Sequence, residues 1–335
     1  MTEVEQINQI ISDSQKIIII QADNPDADSL ASSLALESIF HELGKDPVMY
    51  CGIDMPEYLK YLSGWDRVEK QIPNQFDASV IVDTSTLTLL EKLSESGSMG
   101  WVASKPVIVL DHHANTDNPI EFSSLTLNDP TKVSTGELIF DIAKSLNWPL
   151  SITSCSHIMT SILADSMGLT TETTSAATYR VMAELVETGV SRPELEELRR
   201  AYNKMPLAIF NYKAKLIERT EFFEDGKLAM ITVPQQEIND YSPLYNPAPL
   251  IQSEHLQTEN VLISIVLKNY DSGRITAAIR CNQGAPIAGK LAGYFGGGGH
   301  DYAAGFKLEG KQLDNVKSEC KKIISQLLGD TAGEV

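Results

Sequence analysis

The first half of the chain alternates between short apolar runs and longer stretches with helical periodicity. Lys16–Gln21 contains four consecutive isoleucines, a pattern typical of a strand that is buried on both faces. Further strands are predicted at 47–50, 78–82 and 106–110. Helical patterns are found at about 29–43, 133–147, 153–164 and 173–187. Strands that alternate with helices in this way predict a mostly parallel sheet with helices on both faces.

The pattern changes near residue 190, where Glu, Arg and Leu accumulate without strand signals. This change predicts a linker helix over 191–220, between a domain of residues 1–190 and a smaller α/β domain of residues 221–328. The smaller domain is predicted to contain strands at 228–233, 261–268 and 274–280, a glycine-rich turn at 296–299 and a terminal helix at 311–328. The expected architecture is therefore two α/β domains with an active cleft between them.

Composition limits the class of protein and of partner. The 335 residues include 45 acidic and 27 basic side chains, and the net charge of −18 argues against extended contact with duplex nucleic acid. No run approaches the roughly 18 apolar residues of a membrane span, and the acidic start Met1–Glu5 is unlike a secretion signal. The four cysteines lack the paired spacing of a disulfide framework or a zinc site. A cytoplasmic protein fits best.

Acidic residues and a histidine pair lie where the predicted strands end: Asp26, Asp28, Asp83 and Asp111–His113. The carboxyl ends of parallel strands share one edge of the sheet, where ligands bind in such folds. Clustered carboxylates repel one another, and divalent cations remove that cost. Any one of these aspartates could instead cap a helix. Together with the histidines they predict a metal site that suits Mn²⁺ and, less strictly, Mg²⁺ or Co²⁺.

Four segments resemble, in order, the phosphoesterase motifs of the DHH family: Asn24–Asp28, Val82–Ser85, Asp111–His113 and Ala164–Gly168. In the second half, Arg280, Phe295–His300 and Ala303–Gly305 look like the companion DHHA1 substrate domain. The resemblance extends from about residue 15 to residue 310. It implies hydrolysis of short oligoribonucleotides or of small nucleotides such as 3′-phosphoadenosine-5′-phosphate. It also implies that the partners are such nucleotides rather than membranes, and that a homodimer is one assembly open to the chain.

The resemblance also assigns roles within the first domain. It implies two Mn²⁺ ions that share Asp83 and activate a water for attack on the phosphate. It implies that one ion is held by Asp26 and the other by Asp28, His112 and Asp165. Asp111 would orient its neighbours rather than bind metal, and His113 would face the substrate as a proton or hydrogen-bond donor.

In the second domain the resemblance implies that Arg280 and His300 hold the terminal phosphate of the substrate. Gly298 and Gly299 would let the backbone approach that phosphate closely. A guanidinium suits the bidentate binding of a phosphate. Taken alone, a glycine run is more often a flexible loop, and an arginine at the end of a strand is more often a solvated charge.

One position departs from the family pattern. The family usually has a histidine four residues before Asp26, where this chain has Ala22. Either Asp23 or Gln21 replaces that ligand, or the first metal site is weak or lost. Two alternatives to an oligoribonuclease stay open, and Ala22 is the feature behind the first of them. One is a nucleotide-binding or sensing protein with a degraded metal site, and the other is a cyclic-dinucleotide phosphodiesterase.

Overall fold

The computed structural model describes residues 2–114, 118–242 and 245–331. It separates into two compact units, Met1–Lys204 and Met205–Val335. Within the described residues, no helix combines the length and the apolar character needed to cross a membrane.

The first unit alternates strands and helices, as the hydrophobic pattern predicts. Its strands are β1 (Lys16–Ile20), β2 (Asp46–Tyr50), β3 (Ala78–Val82), β4 (Val107–Asp111) and β5 (Leu125–Asn128). Its helices are α1 (Glu3–Asp13), α2 (Ala27–Glu42), α3 (Glu91–Glu95), α4 (Met99–Ala103), α5 (Thr135–Leu146), α6 (Ile152–Asp165), α7 (Ala176–Glu187) and α8 (Arg192–Tyr202). Short 3₁₀ helices occupy Glu57–Leu59, Trp65–Arg67 and Leu87–Leu89.

The described strands of this unit form one sheet in the order β2-β1-β3-β4-β5, and every neighbouring pair is parallel. The prediction of an α/β fold with a mostly parallel sheet is confirmed. The chain adds β2 on one side of β1 and then returns to place β3 on the other side. The strand order therefore reverses between β1 and β3, and a crevice for ligands opens at the carboxyl ends of strands at such a point.

The isoleucine run of β1 explains how the two faces of this sheet are covered. Ile17 and Ile19 pack into the core beneath α2, α5 and α6, and Ile18 and Ile20 pack into a second core on the opposite face. All four side chains are fully buried. Alternation along the strand, combined with helices on both sides, thus requires an uninterrupted apolar sequence.

The second unit contains a larger sheet than its sequence pattern predicts. Its strands are β6 (Glu221–Phe223), β7 (Leu228–Pro234), β8 (Ile263–Asn269), β9 (Arg274–Cys281), β10 (Gly298–His300) and β11 (Ala303–Glu309). Its helices are α9 (Leu207–Glu218), α10 (Gln235–Tyr241), α11 (Pro247–Gln257), α12 (Ala288–Tyr294) and α13 (Leu313–Thr331). The described strands follow the order β10-β11-β9-β8-β7-β6, with β7 and β8 parallel and the other pairs antiparallel.

Two local expectations need correction. The predicted turn at 296–299 ends early, because Gly298 and Gly299 already belong to β10 and pair with β11. The region expected to hold a single helix over 191–220 holds two helices, α8 and α9, and the boundary between the units falls between them. Pro206 stands directly before α9, which explains the break, because the residue before a proline disfavours the helical conformation.

Candidate functional site

The centre of the candidate site is His112, which directly follows β4. Its Nε2 atom lies 3.1 Å from Asp165 Oδ2, 3.4 Å from Asp28 Oδ2 and 3.6 Å from Asp83 Oδ1. This nitrogen is buried and makes no hydrogen bond within the described part of the chain. Three carboxylates from distant parts of the sequence therefore surround one imidazole nitrogen, an arrangement in which a cation would bind.

Asp28 is completely buried in the first turn of α2, where three donors hold its carboxylate. Ser32 donates to Oδ1 over 2.9 Å and Ser161 donates to the same atom over 2.5 Å. The backbone N–H of Thr135 donates to Oδ2 over 2.8 Å from the first turn of α5, whose positive helix end favours a negative charge. Asp28 is thus held in one orientation before any ion binds.

Asp83 directly follows β3 at the reversal of strand order, in a left-handed conformation with φ of 61°. Such a conformation is unusual for a residue other than glycine and is found preferentially at functional sites. Its Oδ1 atom accepts a hydrogen bond of 3.1 Å from the Thr135 hydroxyl. One residue of α5 therefore contacts both Asp28 and Asp83.

The electrostatics of this cluster indicate that a positive charge is needed. Burial raises the pKa of Asp83 well above its ordinary range, and the charge on Asp28 adds to that effect. Burial likewise raises the pKa of Asp165. Burial also disfavours the charged form of His112, but the carboxylates of Asp165 and Asp83 outweigh this and raise its pKa to about 11. Without a metal, a proton on His112 offsets part of the charge. Two overlapping groups of side chains each bring their ligand atoms within 4.8 Å of one another: Asp28, His112 and Asp165, and Asp83, His112 and His113. Such mixtures of carboxylate and imidazole fit a divalent ion such as Mn²⁺.

His113 faces the same cluster but is held differently. Its Nδ1 lies 2.7 Å from Asp111 Oδ1 and 4.0 Å from Asp83 Oδ1, and its side chain is half exposed. The Asp111 carboxylate raises the pKa of His113. Although burial favours a neutral carboxyl at Asp111, hydrogen bonds from His113 and Ser85 outweigh it and lower the pKa of Asp111. The Asp111 carboxylate therefore favours the protonated form of His113.

In the second unit, strand pairing brings the predicted phosphate-binding residues into one row. Arg280 of β9 pairs with Ala303 of β11, and Ala303 pairs with His300 of β10. Directly paired residues of antiparallel strands project on the same face of the sheet, so Arg280 and His300 share a face across two strand spacings of roughly 5 Å each. Both side chains are exposed, as are Gly298 and Gly299.

Family models match both units. Residues 16–171 match the DHH family, N-terminal domain, and residues 250–326 match the DHHA1 domain. The two matches together cover more than two thirds of the chain. The chain belongs to the DHH family. The phosphoesterase motifs recognised in the sequence fall within these matched regions.

Among relatives of this DHH-family chain is the bifunctional oligoribonuclease and PAP phosphatase NrnA of Thermus thermophilus. It is 28% identical over 302 residues, which cover 88% of this chain and 84% of the relative. Among solved structures, an exopolyphosphatase-related protein from Bacteroides fragilis superposes with a TM-score of 0.79 at 21% identity, over 98% of this chain and 96% of that one. RecJ from Thermus thermophilus in complex with Mn²⁺ shares the fold with a TM-score of 0.54 at 15% identity, over 97% of this chain and 54% of RecJ.

The position that departs from the DHH pattern lies beside the cluster without joining it. Ala22 is buried, and its carbonyl accepts a hydrogen bond from the Cys51 thiol. The carboxylate of Asp23 accepts the Lys92 backbone N–H over 2.8 Å, and the groups of metal-binding side chains found among the described residues do not include Asp23. Gln21 is fully buried, and neither of its polar side-chain atoms has a partner among the described residues.

Asp26 is the other predicted ligand outside the cluster. It caps α2 by accepting the Ser29 backbone N–H over 3.0 Å, and the groups of metal-binding side chains found among the described residues do not include it. Burial raises the pKa of Asp26, and the charges of Asp28 and Asp165 add to that effect. Asp26 is therefore close enough to the cluster for the charges of Asp28 and Asp165 to shift its pKa. Its role as a metal ligand stays a prediction.

Motif analysis missed the two serines that hold Asp28. Ser32 follows Asp28 by four residues on α2, and Ser161 precedes Asp165 by four residues on α6. Residues four apart lie on the same face of a helix, so this spacing was a usable signal. Gly136 explains how α5 approaches so closely, because a Cβ at this position would lie 2.1 Å from the Ser161 hydroxyl.

Proposed function

We propose that this protein is a divalent-metal-dependent phosphoesterase that hydrolyses short oligoribonucleotides and 3′-phosphoadenosine-5′-phosphate. The observation that carries the proposal is the buried His112 Nε2, which faces three carboxylates and makes no hydrogen bond within the described residues. The substrate class is supported by the relative NrnA, whose name describes an oligoribonuclease and PAP phosphatase. The net charge of −18 favours short substrates over long nucleic acids.

The proposed metal ligands are Asp28, Asp83, His112 and Asp165, with Asp83 shared by a second ion that Asp26 helps to hold. Mn²⁺ suits this mixture of carboxylates and imidazole, and Mg²⁺ or Co²⁺ could replace it. The Mn²⁺ complex of RecJ, which has the same fold, supports this choice. When bound, such ions lower the pKa of a water molecule and neutralise charge on the phosphate.

His113 is the proposed catalytic acid. In the reaction a water oxygen bonds to phosphorus while the bond from phosphorus to the ribose oxygen breaks, and that oxygen needs a proton. Asp111 raises the pKa of His113, which favours the charged imidazole, the form that can donate this proton or a hydrogen bond. Asp111 is thus a positioning residue that works through His113.

In the second unit we propose that Arg280 and His300 bind the terminal phosphate of the substrate. Their shared sheet face and their exposure support this role. Gly298 is proposed as the point of closest backbone approach, because a Cβ there would meet nothing within 4 Å. Gly299 has a structural reason as well, because its φ is 140° and a Cβ at this position would lie only 2.5 Å from the Ala303 carbonyl oxygen.

A second candidate function is nucleotide sensing without turnover. Ala22 cannot bind metal, and Asp26 is used as a helix cap, so the set of ligands for a second ion is short. A protein of this kind would bind nucleotide with one ion at most and release no product. The number of bound ions and the formation of product separate the two functions.

The test is hydrolysis of a 5′-phosphorylated RNA dinucleotide and of 3′-phosphoadenosine-5′-phosphate, with and without millimolar Mn²⁺. We expect product only with the ion, loss of product in Asp83→Ala, and no change in Asp66→Ala, which removes an exposed carboxylate instead. Turnover by Asp83→Ala would contradict the assigned site. Binding of the dinucleotide by the wild type without any product would favour the sensor.

A further inference from the structure

A large cavity in the first unit is not explained by the proposed metal site. It has a volume of about 680 Å³ and lies between the start of α2, the 3₁₀ helix Glu57–Leu59, the end of α6 and α8. Pockets that bind small ligands are typically about 300–1,000 Å³. The cavity is therefore large enough for a nucleotide.

The walls of this cavity are continuous with the segments that carry the proposed ligands. Ala27, one of the lining residues, lies between Asp26 and Asp28, and the lining residue Ala164 precedes Asp165. The hydroxyl of Tyr58, also in the wall, donates to the Pro25 carbonyl over 3.1 Å. A molecule whose phosphate is bound at His112 would thus have this cavity beside it.

The charge of the cavity is opposite to that of the protein. The charged side chains among the described lining residues are Arg192, Arg199, Arg200 and Glu196, whereas the whole chain carries −18. Glu196 accepts hydrogen bonds from both Arg199 and Arg200, which leaves a positive excess. Arg192 forms no ion pair within the described part of the chain. An anion is the ligand that such a wall favours.

The cavity also offers exposed apolar surface. Tyr58 is 52% exposed and Met167 is 72% exposed, although both are large side chains. Met167 has φ of 48°, a left-handed conformation that costs energy in a residue other than glycine. Aromatic side chains are the surfaces on which nucleobases stack, and methionine packs well against aromatic rings.

We propose that this cavity binds one nucleoside of the substrate together with its phosphate, with the base against Tyr58 and Met167 and the phosphate near Arg192. The inference rests on the proposed function, because it takes the phosphate at His112 as the point of attachment. A nucleotide combines an aromatic ring with an anionic phosphate. The ring matches the exposed Tyr58 and Met167, and the phosphate matches the positive charge of the cavity. It also explains how a strongly acidic chain can recognise an oligonucleotide without a basic outer surface.

The experiment measures binding rather than turnover. The probe is an RNA dinucleotide with a 5′-phosphate, a 3′-phosphate, a non-hydrolysable phosphonate linkage and 2-aminopurine as its second base. It is titrated into the full chain in the presence of Mg²⁺ and followed by fluorescence. We expect Tyr58→Ala and Arg192→Ala each to weaken binding about tenfold, the first through the loss of a stacked base and the second through the loss of a charged hydrogen bond to the phosphate. Tyr58→Phe keeps the ring and should bind within about threefold of the wild type. Arg180→Ala, which removes an exposed arginine outside the cavity, should bind like the wild type.

Ribose 5-phosphate, which has no base, tests the stacking step separately, and its affinity should not change in Tyr58→Ala. Wild-type affinity for the dinucleotide in both Tyr58→Ala and Arg192→Ala would overturn the inference, as would a wild type that does not bind the probe. If the expected binding pattern appears but Mn²⁺-dependent hydrolysis does not, the cavity assignment stands and the proposed function fails. If hydrolysis occurs while the variants bind like the wild type, the proposed function stands and this inference fails.

Discussion

Replacing Ser161 by alanine should weaken metal binding without removing a ligand. The Ser161 hydroxyl donates to Asp28 Oδ1 over 2.5 Å and accepts the Gly136 N–H over 2.9 Å. A hydrogen bond to a charged group contributes about 1.5–3 kcal/mol, and groups that support metal ligands typically change affinity about 10- to 100-fold. Ser32 and the Thr135 backbone still hold Asp28 in the variant. We therefore expect a loss of about tenfold in Mn²⁺ affinity rather than its abolition.

Calorimetric titration of Mn²⁺ into the full chain measures this loss. The matched control is Ser156→Ala, which removes a hydroxyl from the same helix that donates only to the Ile152 carbonyl. Urea unfolding should show Ser161→Ala destabilised by about 1–3 kcal/mol, because the buried Gly136 N–H loses its acceptor. If the Mn²⁺ affinity of Ser161→Ala stays within about twofold of the control, Asp28 is not a ligand that Ser161 positions.

Two further predictions concern the second unit. Gly298→Ala should leave the thermal midpoint of unfolding unchanged but raise KM for 5′-phosphorylated RNA, because its added Cβ meets only open space where we place the phosphate. Gly299→Ala should lower the thermal midpoint as well, because its Cβ would lie 2.5 Å from the Ala303 oxygen. An unchanged KM in Gly298→Ala would remove that position from the site. Burial lowers the pKa of His255 from 6.5 to about 4, so the unfolded chain gains a proton first as the pH falls. As the pH falls from 6.5 to 4, the unfolding free energy of the wild type, measured in urea, should fall by roughly 3 kcal/mol more than that of His255→Gln. Equal losses would show that His255 is not held in its neutral form by burial.

The first unit could be predicted well because its signals are local. The isoleucines of β1 are fully buried, as a strand covered on both faces requires. Aspartates at the ends of β1 and β3 lie at the same edge of the sheet because the strands are parallel. What the pattern could not provide is the distance from His112 to each carboxylate, since Asp165 arrives on a helix whose packing depends on the whole core.

The second unit was predicted less completely because its edge strands carry little hydrophobic signal. Gly298–His300 has exposed residues throughout and no apolar alternation, so its pairing with β11 is visible only in three dimensions. The row formed by Arg280, Ala303 and His300 depends on that register. Antiparallel register is fixed by long-range packing rather than by the sequence of one strand.

Ala22 bears more on the ion that Asp26 is proposed to hold than on the ion proposed for Asp28, His112 and Asp165. The described contacts that fix Asp28 come from α2, α5 and α6, and those that fix Asp83 come from the end of β3 and from Thr135. Ala22 contributes to none of these contacts, since its carbonyl binds Cys51. The cluster around His112 is therefore preorganised in this chain by contacts that do not involve position 22. The resemblance assigns position 22 and Asp26 to the same ion, so we expect the alanine to affect that ion rather than the cluster around His112.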